Sequence, residues 1–366
     1  MTDPNVDAET TASPDDSVPF AGLDIEIGPL AYGTARLGEA TLDAAIDRIE
    51  AAVDAGMTLI ETADVAGFDP TEEDAAHGGG FGAAEQRLGE VFAEVPELRD
   101  RVVLSTKGGV FPPLPFDTSA DHLRQACDAS LYRLGVDVID LYQVHQPDLL
   151  AHPGEVAEVL TELREAGKVR EVGVCNHTAW QTQALQSFLD FPLVSVQVPL
   201  NAVRLGSLTD GTLDLAMELG LTPIASSPLA SGSLVGEATS KKLQAVAAVF
   251  DRIAAEQGAP RVAVVLSWLL HHPAGVVPIV STCGSLGFVS APRPPRWGSR
   301  ASSGTRYSLR RGVSRCSDRY SHHLVQFATV LDDIDALGVP RDGRCRPNSR
   351  TKMVSTWRRR RSGSRS

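Results

Sequence analysis

Lysine is scarce in this chain: of its 366 residues, only Lys107, Lys168, Lys241, Lys242 and Lys352 are lysine. Cysteine is equally sparse. Cys127, Cys175, Cys283, Cys316 and Cys345 are odd in number, widely spaced and without a CxxC pair. That argues against a disulfide framework or a zinc ribbon and predicts no metal site and a reducing, cytoplasmic setting. No apolar run approaches the roughly 18–20 residues a membrane span needs. The N-terminal MTDPNVDAETTASPDDS lacks the apolar stretch of a secretory leader. Residues 1–20 therefore read as a disordered acidic tail. A GxGxxG loop is also missing after the first apolar run, which counts against a dinucleotide-binding Rossmann domain.

The net charge of −12 conceals a split. Residues 1–280 carry 16 Lys+Arg against 41 Asp+Glu, whereas residues 281–366 carry 18 against 5. An acidic, lysine-poor surface stays hydrated in strong salt, where screening suppresses its self-repulsion, so a halophilic source is expected, with an ordinary acidic cytoplasmic enzyme as the alternative. The segment 283–366 is rich in Arg, Ser, Gly and Pro and lacks hydrophobic periodicity outside LVQFATVLDDIDALG (324–338). It reads as a basic tail of low order. A solvated basic tail that binds nucleic acid or lipid is one reading; a derailed, out-of-frame C-terminus is the favoured one.

What the chain does have is alternation. Apolar runs at 27–35, 57–63, 101–107, 138–145, 169–176, 194–201, 222–229 and 275–282 read as strands, several nearly continuous in Val, Ile and Leu as doubly buried strands are. Amphipathic stretches at 41–56, 118–135, 152–168 and 209–220 carry helical spacing, with Thr or Gly punctuation at several of their ends. Eight strands with helices between them predict a (β/α)8 TIM barrel over residues 21–282, with an open doubly wound sheet as the runner-up.

In such barrels the carboxyl ends of the strands converge on one mouth, where active sites sit. Those ends here are Gly33-Thr34, Glu61, Lys107, His145, Asn176, Gln197 with Asn201, and Ser226-Ser227. Singly, each fits an exposed lysine or a loop-capping histidine. Together, an acid, a lysine, a histidine and two carboxamides at one end of successive strands predict a ligand site.

Four stretches carry a resemblance: VVLSTKGG (102–109), DVIDLYQVHQPD (137–148), KVREVGVCNHTAWQ (168–181) and IASSPLASG (224–232). Through them the chain resembles the aldo-keto reductases from about residue 27 to 281. The resemblance implies a barrel that reduces a small-molecule carbonyl with NADPH, NAD being possible. It also implies a catalytic tetrad of Asp, Tyr, Lys and His. Lys107 and His145 match two members. The stretch ETADVAG puts Glu61 at the Asp position and Ala66 where the Tyr belongs.

That tyrosine is the family's general acid. Its hydroxyl, with an unperturbed pKa of about 10, is tuned by the neighbouring Lys and His. Glu61, being one carbon longer, can still pair with Lys107. Tyr32, His77, His145 or a water held by Lys107 are the candidate substitutes. The resemblance further implies cofactor contacts from Gly33, Thr34, Asn176, Gln197, Ser227, Pro228 and Leu229. Ser226 stands where many members stack an aromatic ring on the nicotinamide. The basic motif that binds the 2′-phosphate would follow Thr282, where the sequence reads CGSLGFVSAPRPP and the motif is missing. The expectation is a carbonyl reductase with impaired activity; the alternatives are a ligand-binding pseudoenzyme and a degenerate product of marginal stability.

Overall fold

The computed structural model describes residues 18–20, 26–68, 80–110, 116–238 and 240–281. The chain enters through a short antiparallel hairpin, β1 (Val18–Pro19) and β2 (Glu26–Ile27), with Val18 opposite Ile27. Eight parallel strands follow: β3 (Ala31–Gly33), β4 (Leu59–Glu61), β5 (Val103–Gly108), β6 (Ile139–Val144), β7 (Val169–Cys175), β8 (Ser195–Pro199), β9 (Thr222–Ser226) and β10 (Val277–Val280). They close in sequence order, with β10 pairing β3. The expected (β/α)8 barrel is the fold, and the open sheet is excluded.

Helices α1 (Leu42–Asp54), α2 (Ala83–Glu94), α3 (Glu97–Asp100), α4 (Ala120–Leu134), α5 (Pro153–Glu165), α6 (Ala179–Gln186), α7 (Thr212–Leu219), α8 (Lys241–Gln257) and α9 (Arg261–Leu270) lie between the strands. Their ends obey local rules. Thr41 accepts the Ala44 amide to start α1, Ser119 accepts the His122 amide to start α4, and Thr178 and Gln181 form a capping box at α6. Gly135, at φ +63°, ends α4 in the left-handed conformation a glycine adopts without strain. Among the described residues no helix is long and apolar enough to cross a membrane.

Alternation along the strands sorts side chains onto two faces. Ala31, Leu59, Val103, Leu141, Ile224 and Val277 fill the barrel interior, and Phe20 and Ile27 join the same cluster. The hairpin thus seals the floor of the barrel, ahead of the amino end of β3. Tyr32, Ile60, Leu104 and Tyr142, one position along from their inward neighbours, pack instead in the layer beneath the helices.

Several expected boundaries move. The strand expected over 27–35 is only Ala31–Gly33, because Ile27 belongs to the hairpin and Gly28–Leu30 turn the chain into the barrel wall. Of Val18–Phe20, assigned to the acidic tail, Val18–Pro19 pair in the hairpin and Phe20 joins the interior cluster. The helix expected from 209 begins at Thr212, since Gly211 at φ +86° interrupts the chain after a 3-10 turn at Gly206–Leu208. His77 and the basic segment 283–366 lie outside the described residues.

Gly28 is required by close approach. A Cβ there would sit 1.6 Å from the carbonyl oxygen of Gly56, and the Gly28 amide donates to Thr58 Oγ1 at 3.2 Å. Gly28→Ala is expected to cost upwards of about 2 kcal/mol by lifting the floor hairpin off the barrel. Urea denaturation checks this; an unchanged midpoint would show that the turn shifts freely.

Candidate active site at the barrel mouth

Register brings the chemistry together. Gly33 pairs with Glu61 across β3 and β4, and Lys107 pairs with Gln143 across β5 and β6. Lys107, only 3% exposed, points inward and its Nζ donates to Glu61 Oε1 and, at 2.6 Å, to the carbonyl of Thr62. The glutamate in the usual aspartate position therefore reaches the lysine. Glu61 Oε1 also accepts from Gln197 Nε2 at 3.0 Å.

From Gln197 a polar ladder descends into the barrel. Gln197 Oε1 accepts from Gln143 Nε2 at 3.1 Å, and Gln143 Nε2 also donates to Ser105 Oγ at 3.1 Å. Ser195 Oγ donates to Gln143 Oε1 at 3.4 Å. Gly173 leaves room for the ladder, since a Cβ there would lie 2.1 Å from Ser195 Oγ. Buried polar groups that satisfy one another hold a site rigid. Ser105, Gln143 and Ser195 escaped the sequence reading. The signal was there: each lies two residues along its strand from an inward-facing site residue.

His145 follows β6, its amide donating to the Gly108 carbonyl at 2.9 Å. Its Nδ1 lies 3.7 Å from Oδ1 of Asp64, another residue the sequence reading passed over. Asp64 is 1% exposed, and its amide continues the ladder to the Lys107 carbonyl at 3.1 Å. Burial pushes its carboxyl up to about 7, against the pull of the Val65 amide and of Arg133, Lys107 and His122. The native state thus holds a proton that an unfolded aspartate, near 3.8, releases. Stability falls as pH rises between about 4 and 7 and levels off above that range. Asp64→Asn, which cannot ionise, is expected to flatten this slope and to gain up to about 4 kcal/mol over the parent above pH 7. Urea denaturation across that range is the measurement, and an unchanged slope is the contrary result.

The expected cofactor residues line the same end of the barrel. Thr34 donates its amide to the Glu61 carbonyl at 2.9 Å, and its buried Oγ1 has no hydrogen-bond partner among the described residues. Asn176 sits at φ +58° and directs Nδ2 to the His145 carbonyl at 3.3 Å. Ser227 is exposed at φ +53°, its carbonyl fixed by Asn201 Nδ2 at 2.8 Å. Pro228 is buried beside it and Leu229 packs against both outer core clusters. Ala230 and Ser231 share the positive φ, a costly backbone that persists where surrounding contacts enforce it. Gln197 is different: both ends of its carboxamide are engaged inside the protein.

The candidate proton donors narrow. Tyr32 is 3% exposed and packs beneath the helices, on the face away from the mouth. Ala66 lies in the turn after β4, its carbonyl accepting from the Ala84 amide at 3.2 Å, and offers no acid. The Cys127 and Cys175 thiols are buried and pushed up to about 12, so neither supplies a thiolate near neutrality.

Comparison with known proteins agrees with this geometry. The Aldo/keto reductase family model matches residues 29–285. A 6-dehydroglucose reductase of Novosphingobium aromaticivorans is 48% identical over 70% of this chain and 83% of its own length. Another 6-dehydroglucose reductase, from Agrobacterium fabrum, is 34% identical over 70% of this chain and 85% of its own. The solved structure of a glycerol dehydrogenase from Gluconobacter oxydans superposes with a TM-score of 0.63 at 26% identity, covering 74% of this chain and 87% of that one. These relatives lend no support to a pseudoenzyme. The chain belongs to the aldo/keto reductase family, oxidoreductases that act on small-molecule carbonyls with a nicotinamide cofactor.

Proposed function

We propose that the protein reduces the carbonyl of a small polyhydroxylated molecule, a sugar aldehyde of the 6-dehydroglucose kind, with NADPH or NADH. The observation that carries this reading is 48% identity to a 6-dehydroglucose reductase over a barrel whose mouth keeps Lys107 hydrogen-bonded to Glu61. The buried hydroxyl of Thr34, without a partner among the described residues, and the enforced backbone at Ser227 fit a bound dinucleotide. When bound, the nicotinamide supplies the hydride. Gly33, Thr34, Asn176, Ser227, Pro228 and Leu229 would hold the cofactor. Gln197, already bonded to Glu61 and Gln143, would brace the carboxylate as well as meet the carboxamide. Lys107, hydrogen-bonded to Glu61, would polarise the carbonyl oxygen and stabilise the charge that develops there.

We read the acidic, lysine-poor barrel as suited to a salty cytoplasm. Cofactor preference is read as shallow, because a 2′-phosphate without basic partners gains little over a hydroxyl. The test follows NADPH and NADH oxidation with 6-dehydroglucose and with a plain aliphatic aldehyde, at low and at high salt. Turnover that favours the sugar aldehyde, persists in salt and differs less than about tenfold between cofactors is expected. Cofactor binding without turnover of either aldehyde would overturn the reading.

A further inference from the structure

Asp64 is a buried carboxylate beside the mouth that the proposed reaction has not used. It occupies the third place after Glu61, in the turn that follows β4. Neither of its oxygens makes a hydrogen bond of normal geometry among the described residues, yet it is 1% exposed. A buried carboxyl left in that condition is costly unless something shares its proton or charge. Such a group stands across the rim: the His145 ring, with Nδ1 3.7 Å from Oδ1.

We propose that Asp64 and His145 form a proton-holding pair that replaces the tyrosine hydroxyl missing at Ala66. In this pair His145 delivers the proton to the substrate oxygen, and Asp64 is the residue that positions it. The proposal rests on the reading of the mouth as a carbonyl-reducing site. The geometry divides the labour. At 3.7 Å the ring and the carboxyl are in ion-pair range and not hydrogen-bonded; a small ring rotation would bring Nδ1 onto the carboxyl, set the tautomer and leave Nε2 on the opposite edge of the imidazole. The carbonyl of His145 is meanwhile held by Asn176 Nδ2 and its amide by Gly108. The segment bearing the ring is thus tied to β5 and to the end of β7.

The step balances. The pair enters with one proton on Nε2 and one shared between Asp64 and Nδ1. As hydride adds to the carbonyl carbon, the electron pair of the C=O π bond moves to oxygen, which takes the Nε2 proton. His145 is left neutral with its Nδ1 proton facing the Asp64 carboxylate. Solvent restores the lost proton once the alcohol leaves.

The charges around Asp64 suit this cycle. Lys107 from β5 and Arg133 and His122 from α4 favour the carboxylate, while burial favours the acid. The opposing influences bring the carboxyl up to about 7, where it can give and regain a proton near neutrality. Glu85 on α2 accepts from Thr106 and is paired with Arg133, so its charge is spoken for. Tyr142 on β6 is fully buried with its phenol raised well above its ordinary range, and is no rival donor.

The test begins with the parent protein, without cofactor. Side-chain carbon NMR of Asp64 and ring NMR of His145 are followed across pH. Coupled curves, each resonance reporting the other's transition, are expected; independent titration overturns the pair. In Asp64→Asn the His145 midpoint should fall by about one pH unit or more, as loss of a facing carboxylate destabilises the imidazolium. Turnover with the sugar aldehyde should fall at least about tenfold in kcat with KM little changed, and its pH profile should lose one limb. Asp64→Glu should restore part of both. Unchanged kcat and pH profile in a folded Asp64→Asn protein overturns the proposal. If coupling is seen while the parent turns over no carbonyl, the functional reading fails and the pairing stands.

Discussion

Ala66→Tyr is expected to raise carbonyl reduction at least about tenfold, against the roughly 10²–10⁴ that a well-placed general acid contributes. The machinery that would tune a phenol at that position is intact: Lys107 is fixed between Glu61 and the Thr62 carbonyl, and His145 stands at the neighbouring strand end. The turn that carries Ala66 is pinned to the start of α2 by the Ala84 amide, so the new side chain would enter from a defined backbone. Adding Lys107→Ala should erase the gain. Adding Asp64→Asn should cost far less in the tyrosine variant than in the parent, because the donor would have changed. The measurement is NADPH oxidation after confirming that each variant binds cofactor. Equal rates in parent and variant would mean that position 66 is not the vacant acid position.

Lys107→Met should be the most damaging single change at the mouth. It removes the cation from a carboxylate whose side chain is only 12% exposed and leaves Gln197 as its remaining hydrogen-bond donor among the described residues. Breaking a buried pair from one side costs about 3–5 kcal/mol, most of it the strandedness of the surviving charge. The loss should appear in urea denaturation as well as in turnover. Combining Lys107→Met with Glu61→Gln, which removes the stranded charge, should recover most of the stability but none of the activity. A double variant as unstable as the single one would show that the damage comes from packing.

These effects could be anticipated because the barrel announces itself in the sequence. Strands such as Val103–Gly108 are doubly buried, so they are written in Val and Leu with the working residue at the carboxyl end. Glu61, Lys107 and His145 could be found for that reason. The floor hairpin could not, because two-residue strands carry no period and Val18–Phe20 adjoin an acidic stretch. Gln143, Ser105 and Ser195 were hidden inside apolar strands. Only the closed register shows that they turn inward and meet. Tyr32 stands near enough to Gly33 to be weighed as a donor, but it directly precedes the mouth residues, and a shift of one residue in a strand reverses the face; its place beneath the helices follows. Nothing in ETADVAG singles out Asp64. Its burial and the approach of His145 are properties of the rim and not of any one segment.

The closure of the barrel also has a kinetic side. Neighbouring strands from β3 to β9 are joined by local connections, but the β10–β3 seam brings together Ser281 and Gly33, 248 positions apart, through the hydrogen bond from Ser281 Oγ to the Gly33 carbonyl. Only Ile279 opposite Ala31 and Val280 opposite Tyr32 flank it. Closing so long a loop costs more chain entropy than any local pairing, by about 1–2 kcal/mol on logarithmic scaling. Contacts of such separation also form late. The seam is therefore the last joint to form and the first to part when the barrel breathes. Gly33 and Thr34 stand on it, so any ligand they grip would act as a clasp across the newest join in the fold.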